Sequence, residues 1–134
     1  MAGSSSPRPA SDDDAFDYDM RMRANLEKVF SQRDAGLRLR AIADLYLPDA
    51  VLYEPDTVVT GHEAISAAVD KLLSMLPADF TFVARGPAVG HHGIGRLHWQ
   101  AGAPGGPVAV TGTDVATFQG DRIGTLHVFL DPPA

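Results

Sequence analysis

The 134-residue sequence contains no cysteine, which excludes disulfides, thiolate metal centres and a cysteine nucleophile. Histidine is sparse, at five residues, and no pair stands at a His-x-His or His-x-x-x-His spacing. No metal site is expected from such a set. The chain also lacks a G-x-S-x-G elbow, a P-loop and a dinucleotide fingerprint. "GHHGIG", residues 90–95, is rich in glycine but does not join a strand to a helix, so it reads as a turn. No cofactor is expected. No apolar run approaches the roughly 18 residues that cross a bilayer. Met1–Asp14 has no apolar segment of the secretory type. A cytoplasmic protein with no membrane partner is the expectation. Basic residues are few, 11 against 17 acids for a formal charge of −6. That balance argues against a nucleic-acid partner, whose phosphates are held by clustered Lys and Arg. Arg21, Arg23, Arg33, Arg38 and Arg40 read as the solvated sides of two helices.

What is present is an ordinary globular composition, 45% apolar and 21% charged, long enough for one domain with a sizeable core. Residues 1–15, mostly Ser, Pro and Asp, have little to bury and are expected to be a disordered tail. Residues 16–134 are expected to form a single domain. Met22, Leu26, Val29 and Phe30 recur at helical spacing, and so do Leu37, Ala41, Ile42, Leu45 and Tyr46 up to Pro48. Ala50–Glu54 reads as a strand. Thr60-Gly-His-Glu63 has the form of a capping box opening a third helix, with Ile65, Val69, Leu72, Leu73 and Leu76 on one face. From Phe80 the period becomes that of strands, ending in two long ones over 107–118 and 122–130 joined at Gln119-Gly120-Asp121. Helices segregated from a four-strand meander make an α+β domain, with three helices covering one face of a sheet.

Two acids stand out within this frame. In "PVAVTGTDVATF", residues 107–118, the even positions are apolar or small except for Asp114, while the odd face is threonine-rich. If the even face is the concave one, Asp114 is poorly hydrated and its pKa should rise. The bland reading is a carboxylate paired with an arginine or capping a bulge. Glu54 ends an apolar strand immediately before Pro55; its bland reading is a solvated strand end. Carboxyls in unlike environments are a recurrent acid/base arrangement.

"LYLPDAVLYEPDTVVTGHEAI" and "GTDVATFQGDRIGTLHVFLD" together resemble the cone-shaped α+β fold of nuclear transport factor 2-like proteins. Within it they look most like ketosteroid isomerases and SnoaL-type polyketide cyclases. The resemblance runs from about residue 20 to 131. It implies a cone of three helices on a curved antiparallel or mixed sheet. It places Glu54 at the family's proton-shuttling aspartate and Asp114 at its protonated, hydrogen-bonding aspartate. Phe30 and Val69 match positions that carry tyrosines in the isomerases, and Tyr46 retains one. Phe30, Tyr46, Val69, Leu97, Trp99 and Leu126 are then the expected ligand-binding residues. The implied function is an acid/base isomerase or cyclase acting on a hydrophobic carbonyl compound, steroid- or polyketide-like, by proton abstraction and enolate stabilisation. The alternative is a non-catalytic small-molecule-binding or assembly domain of the same fold. Asp114 should have the higher pKa, and Glu54, near the mouth and the polar Asp56-Thr57 turn, a normal or depressed one. The threonine-rich outer sheet face is expected to form a homodimer.

Overall fold

The computed structural model describes residues 16–132, so the expected N-terminal tail lies outside the described residues. Helix α1, Tyr18–Asn25, is capped by Asp17, whose side chain accepts from the Met20 amide at 2.9 Å. It runs directly into a π-helical turn, Leu26–Phe30. Helix α2, Ala35–Leu45, starts on Asp34, which accepts from the Leu37 amide. Strands β1 (Tyr46–Tyr53) and β2 (Val58–Thr60) form a hairpin that leads into helix α3, His62–Ser74. Five strands follow: β3 (Thr81–Ala84), β4 (Val89–His91), β5 (Ile94–Gly102), β6 (Val108–Gln119) and β7 (Arg122–Leu130).

The seven strands form one curved sheet in the order β2-β1-β7-β6-β5-β3, with β4 also paired to β5. Every pairing is antiparallel except β1 with β7, so the sheet is mixed. The three helices pack on its concave face, and their apolar stripes meet Leu52, Leu97, Trp99, Ala116, Ile123 and Leu126 in one core. Alternation along β6 follows the expected parity: Gly112, Asp114 and Ala116 are buried and their odd neighbours half-buried. The even face is therefore the concave one.

Four local expectations are corrected. Pro48 does not precede the first strand but lies inside it, where pairing with β7 shifts register between Tyr46 and Val51; a bulge spares the ladder the missing donor. The third helix is capped by Gly61, with no side-chain cap bond, and not by Thr60, which ends β2. The turn around residues 90–93 shrinks to His92-Gly93, both at positive φ (51° and 80°). That conformation matches a tight hairpin turn and frees Val89–His91 to be a strand. Arg38, expected in solvent, is 1% exposed. Its guanidinium donates to Ser66 Oγ (3.0 Å), the Gln32 carbonyl (2.7 Å) and Asp70 Oδ1 (3.0 Å), clamping α2 to α3.

Candidate active site

The concave face is not filled at one end. A cavity of about 170 Å³ opens between the ends of β1, β6 and β7 and the C-terminal part of α3. Its walls are apolar apart from two carboxyls, Glu54 and Asp114.

Strand register explains why these two meet. Asp114 on β6 pairs with Val128 on β7, and Val128 stands one residue beyond the Tyr53–His127 pair of β7 with β1. Glu54 is thus level with Asp114 two strands away, which is roughly 10 Å between backbones. Both side chains face the cavity between them. The chain holds Glu54 in a tight turn: its amide donates to the Thr57 carbonyl at 2.9 Å, and the Thr57 hydroxyl donates to Glu54 Oε1 at 3.3 Å. Pro55 suits the second position of such a turn, where its ring presets φ. The acid at the end of β1 is therefore fixed at the mouth of the cavity, half-buried.

Asp114 is deeper, only 3% exposed. Trp99 Nε1 donates to its Oδ1 at 2.9 Å, and Oδ2 has no protein partner among the described residues. Burial pushes the Asp114 carboxyl up to about 7; the Trp99 N–H opposes this and the Glu54 charge adds to it. Glu54 is also raised by burial, with Thr57 opposing. The expected normal or depressed value is thereby corrected: half of the side chain has lost its water, and one long hydrogen bond does not offset that. Among the described residues, no cation acts on either acid.

Of the residues expected at the site, Glu54, Asp114, Phe30 and Trp99 line the cavity. Tyr46, Val69, Leu97 and Leu126 do not; each is at most 1% exposed and packed within the core behind the lining. The Tyr46 hydroxyl donates to Asn25 Oδ1 at 2.5 Å. Its phenol is held protonated by burial and by the neighbouring Asp114 and Glu54, with Asn25 opposing. Sequence reasoning missed Leu72, Leu76, Phe80 and Phe82, which close the cavity on the helical side. It also missed Val110, Val128 and Leu130, although parity with Asp114 and Leu126 points to all three. Phe30, Phe82 and Trp99 form an aromatic wall, with ring centroids 6.1 and 5.4 Å apart along the series. Among the described residues no group of three His, Asp or Glu could hold a metal ion, and no helix is long and apolar enough to cross a membrane.

The profile of the SnoaL-like domain family matches residues 22–124. Several solved structures share the fold. A proposed isomerase of the SnoaL-like family from Agrobacterium tumefaciens is 23% identical, covers 84% of this chain and 96% of its own, and superposes with a TM-score of 0.77. A proposed SnoaL-like polyketide cyclase from Jannaschia is 12% identical, with 96% and 92% covered and a TM-score of 0.70. A proposed polyketide cyclase from Sinorhizobium meliloti is 16% identical, with 81% and 93% covered and a TM-score of 0.61. No curated protein matches the chain by sequence.

Proposed function

The chain belongs to the SnoaL-like domain family, and from that premise we propose that it is an acid/base isomerase or cyclase of a small hydrophobic carbonyl compound. One observation carries the reading: two carboxyls of unlike burial face each other across an otherwise apolar cavity. Glu54 at the mouth is the general base. It removes a proton from the carbon next to the carbonyl, and the electron pair moves onto the carbonyl oxygen. Asp114, protonated, donates from Oδ2 to that oxygen and stabilises the enolate. Protonated Glu54 then returns its proton to a different carbon, which shifts a double bond. Alternatively the enolate carbon attacks a second carbonyl, whose oxygen takes up the proton held by Glu54, and a ring closes. Phe30 and Trp99 are the apolar walls, while Tyr46, Val69, Leu97 and Leu126 support the lining from behind. An apolar cavity of roughly 150 Å³ accepts a benzene-sized group, so about one ring of the substrate is enclosed at a time. We place the protein in the cytoplasm as a homodimer, joined through the outer face of the sheet.

The reaction class can be tested before the substrate is known. A panel of cyclic ketones and enones is incubated with the protein in D₂O, and deuterium uptake next to the carbonyl is read by mass spectrometry. Catalysed uptake is expected for the natural protein and is abolished in Glu54→Gln, which keeps the shape but removes the base. Asp114→Asn should retain part of it, since an amide can still donate to the oxygen. No uptake on any member of the panel would leave the non-catalytic binding domain as the better reading, and normal uptake by Glu54→Gln would show that Glu54 is not the base.

A further inference from the structure

We infer that Trp99 is a positioning residue for Asp114: its indole N–H occupies Oδ1, so that the carboxyl proton sits on Oδ2 and points into the cavity. The inference deepens the acid/base reading and rests on it. The argument is one of donors and acceptors. An indole can only donate, and in a neutral carboxyl the carbonyl oxygen is the strong acceptor and the hydroxyl the donor. With Nε1 at 2.9 Å from Oδ1, that oxygen must be the acceptor, and the proton is left on Oδ2. Without this bond the terminal carboxyl torsion is soft and broadly populated, and the two oxygens would exchange places.

The strand pairing shows how the indole reaches this position. Trp99 pairs directly with Gly112, and Asp114 is the diagonal neighbour two residues along β6 on the same face. The indole lies across Gly112: a Cβ built there would fall 2.4 Å from its Cζ2 and 2.8 Å from its Cε2. Glycine at 112 is what allows the ring to lie flat on β6 with Nε1 aimed at the carboxyl. The sequence Gly112-Thr113-Asp114 on one strand and Trp99 on its neighbour thus form a single device. Two other titratable groups face Asp114, Glu54 and Tyr46 from β1. Neither donates a hydrogen bond to it, and from β7 its neighbour is the apolar Val128.

The chain has a single tryptophan, so Trp99 can be replaced throughout by 3-benzothienylalanine, which keeps the bicyclic shape and puts sulfur where the N–H was. The carboxyl of Asp114 is followed by ¹³C NMR across pH in the full chain, with the amide spectrum as the check on folding. Because the N–H favours the ionised form, its loss should move the Asp114 midpoint to higher pH and leave that of Glu54 in place. Deuterium uptake by the ketone panel should fall roughly ten- to a hundredfold, the range set by misplacing a catalytic group. Trp99→Phe, which also lacks the N–H, should move the Asp114 midpoint the same way, so the result does not depend on one variant folding. An unchanged or lowered Asp114 midpoint in a folded variant overturns the inference. A raised midpoint in a protein that exchanges no ketone supports the positioning and removes the acid/base reading instead.

Discussion

A carboxyl in water has little choice of protonation state at neutral pH; the two at this site acquire one from their surroundings. Both are raised by burial, so turnover requires pH high enough to ionise Glu54 and low enough to keep Asp114 protonated. Activity should fall as pH rises through about 7, where Asp114 loses its proton, and burial of Glu54 moves the acid limb above the ordinary carboxylate range. Asp114 also couples to stability, with a sign opposite to that of a salt-bridged aspartate. Its folded value of about 7 lies above the ordinary 3.8, so the folded state binds the proton more tightly than the unfolded one. The stabilisation is fully present below pH 3.8 and is lost as pH climbs to about 7, on the order of 4 kcal/mol in all. Asp114→Asn should remove this loss. Chemical denaturation at pH 4.5 and 7.5 is expected to show a smaller difference between the two pH values in the variant than in the natural protein. An equal difference in both proteins would show that Asp114 does not titrate in this range.

At the scale of elements, the helical layer is tied together by a buried cation that sequence pattern gave no reason to expect. Arg38 bridges the loop before α2 to Ser66 and Asp70 of α3. Its removal leaves polar groups of α3 and of the loop before α2 without their donor. Arg38→Ala should therefore cost about 3 kcal/mol in unfolding free energy. Asp70→Ala should cost less than Arg38→Ala, because the buried guanidinium keeps its bonds to Ser66 and Gln32. Equal losses in thermal or denaturant unfolding would mean that the ion pair to Asp70, and not the bonds to Ser66 and Gln32, holds the helices. The contrast shows what is legible in a sequence and what is not. Long periodic segments are readable: three helices and the two long final strands follow from apolar spacing, and the turn before β7 from Gln119-Gly120-Asp121, while which face of β6 is concave stays conditional until the helices are placed. Short elements are not. Val58–Thr60 is three residues long and half-exposed, and becomes a strand only by pairing with β1. Val89–His91 does so only through the turn beside it. The site divides in the same way. The two acids were conspicuous because they interrupt apolar strands. Tyr46 and Leu97 share the concave side with the site, but how far the cavity extends along each strand depends on the packing of α3, which no local pattern encodes.

At the scale of the molecule, the helices cover one face of the sheet and leave the other to solvent or to a second chain. The homodimer proposed above would use that outer face. Tyr53, His127 and Phe129 stack in a row across β1 and β7, with ring centroids 4.3 and 6.3 Å apart and planes within 11° and 14° of parallel. Phe129 and Ile94 remain 54% and 52% exposed. The hydroxyls on this face are already satisfied across strands, Thr117 with Thr125 at 2.7 Å and Thr113 with His98 at 2.8 Å. A partner sheet laid on it would bury this apolar area together with Arg96, which stands opposite Val115 on the same face and would have to be paired within the contact. A groove lined by Tyr53, Glu54, His127 and Phe129 joins this face to the mouth of the cavity. A second copy seated there would wall one side of the entrance and help keep water from Glu54. The full chain should therefore behave as a homodimer in light scattering at micromolar concentration. Phe129→Asp, which sets an unpaired charge in the middle of the contact, should yield a folded monomer with reduced deuterium uptake on the ketone panel. A natural protein that is monomeric under these conditions would end the dimer proposal. A monomeric Phe129→Asp protein with full uptake would show that the entrance needs no second copy.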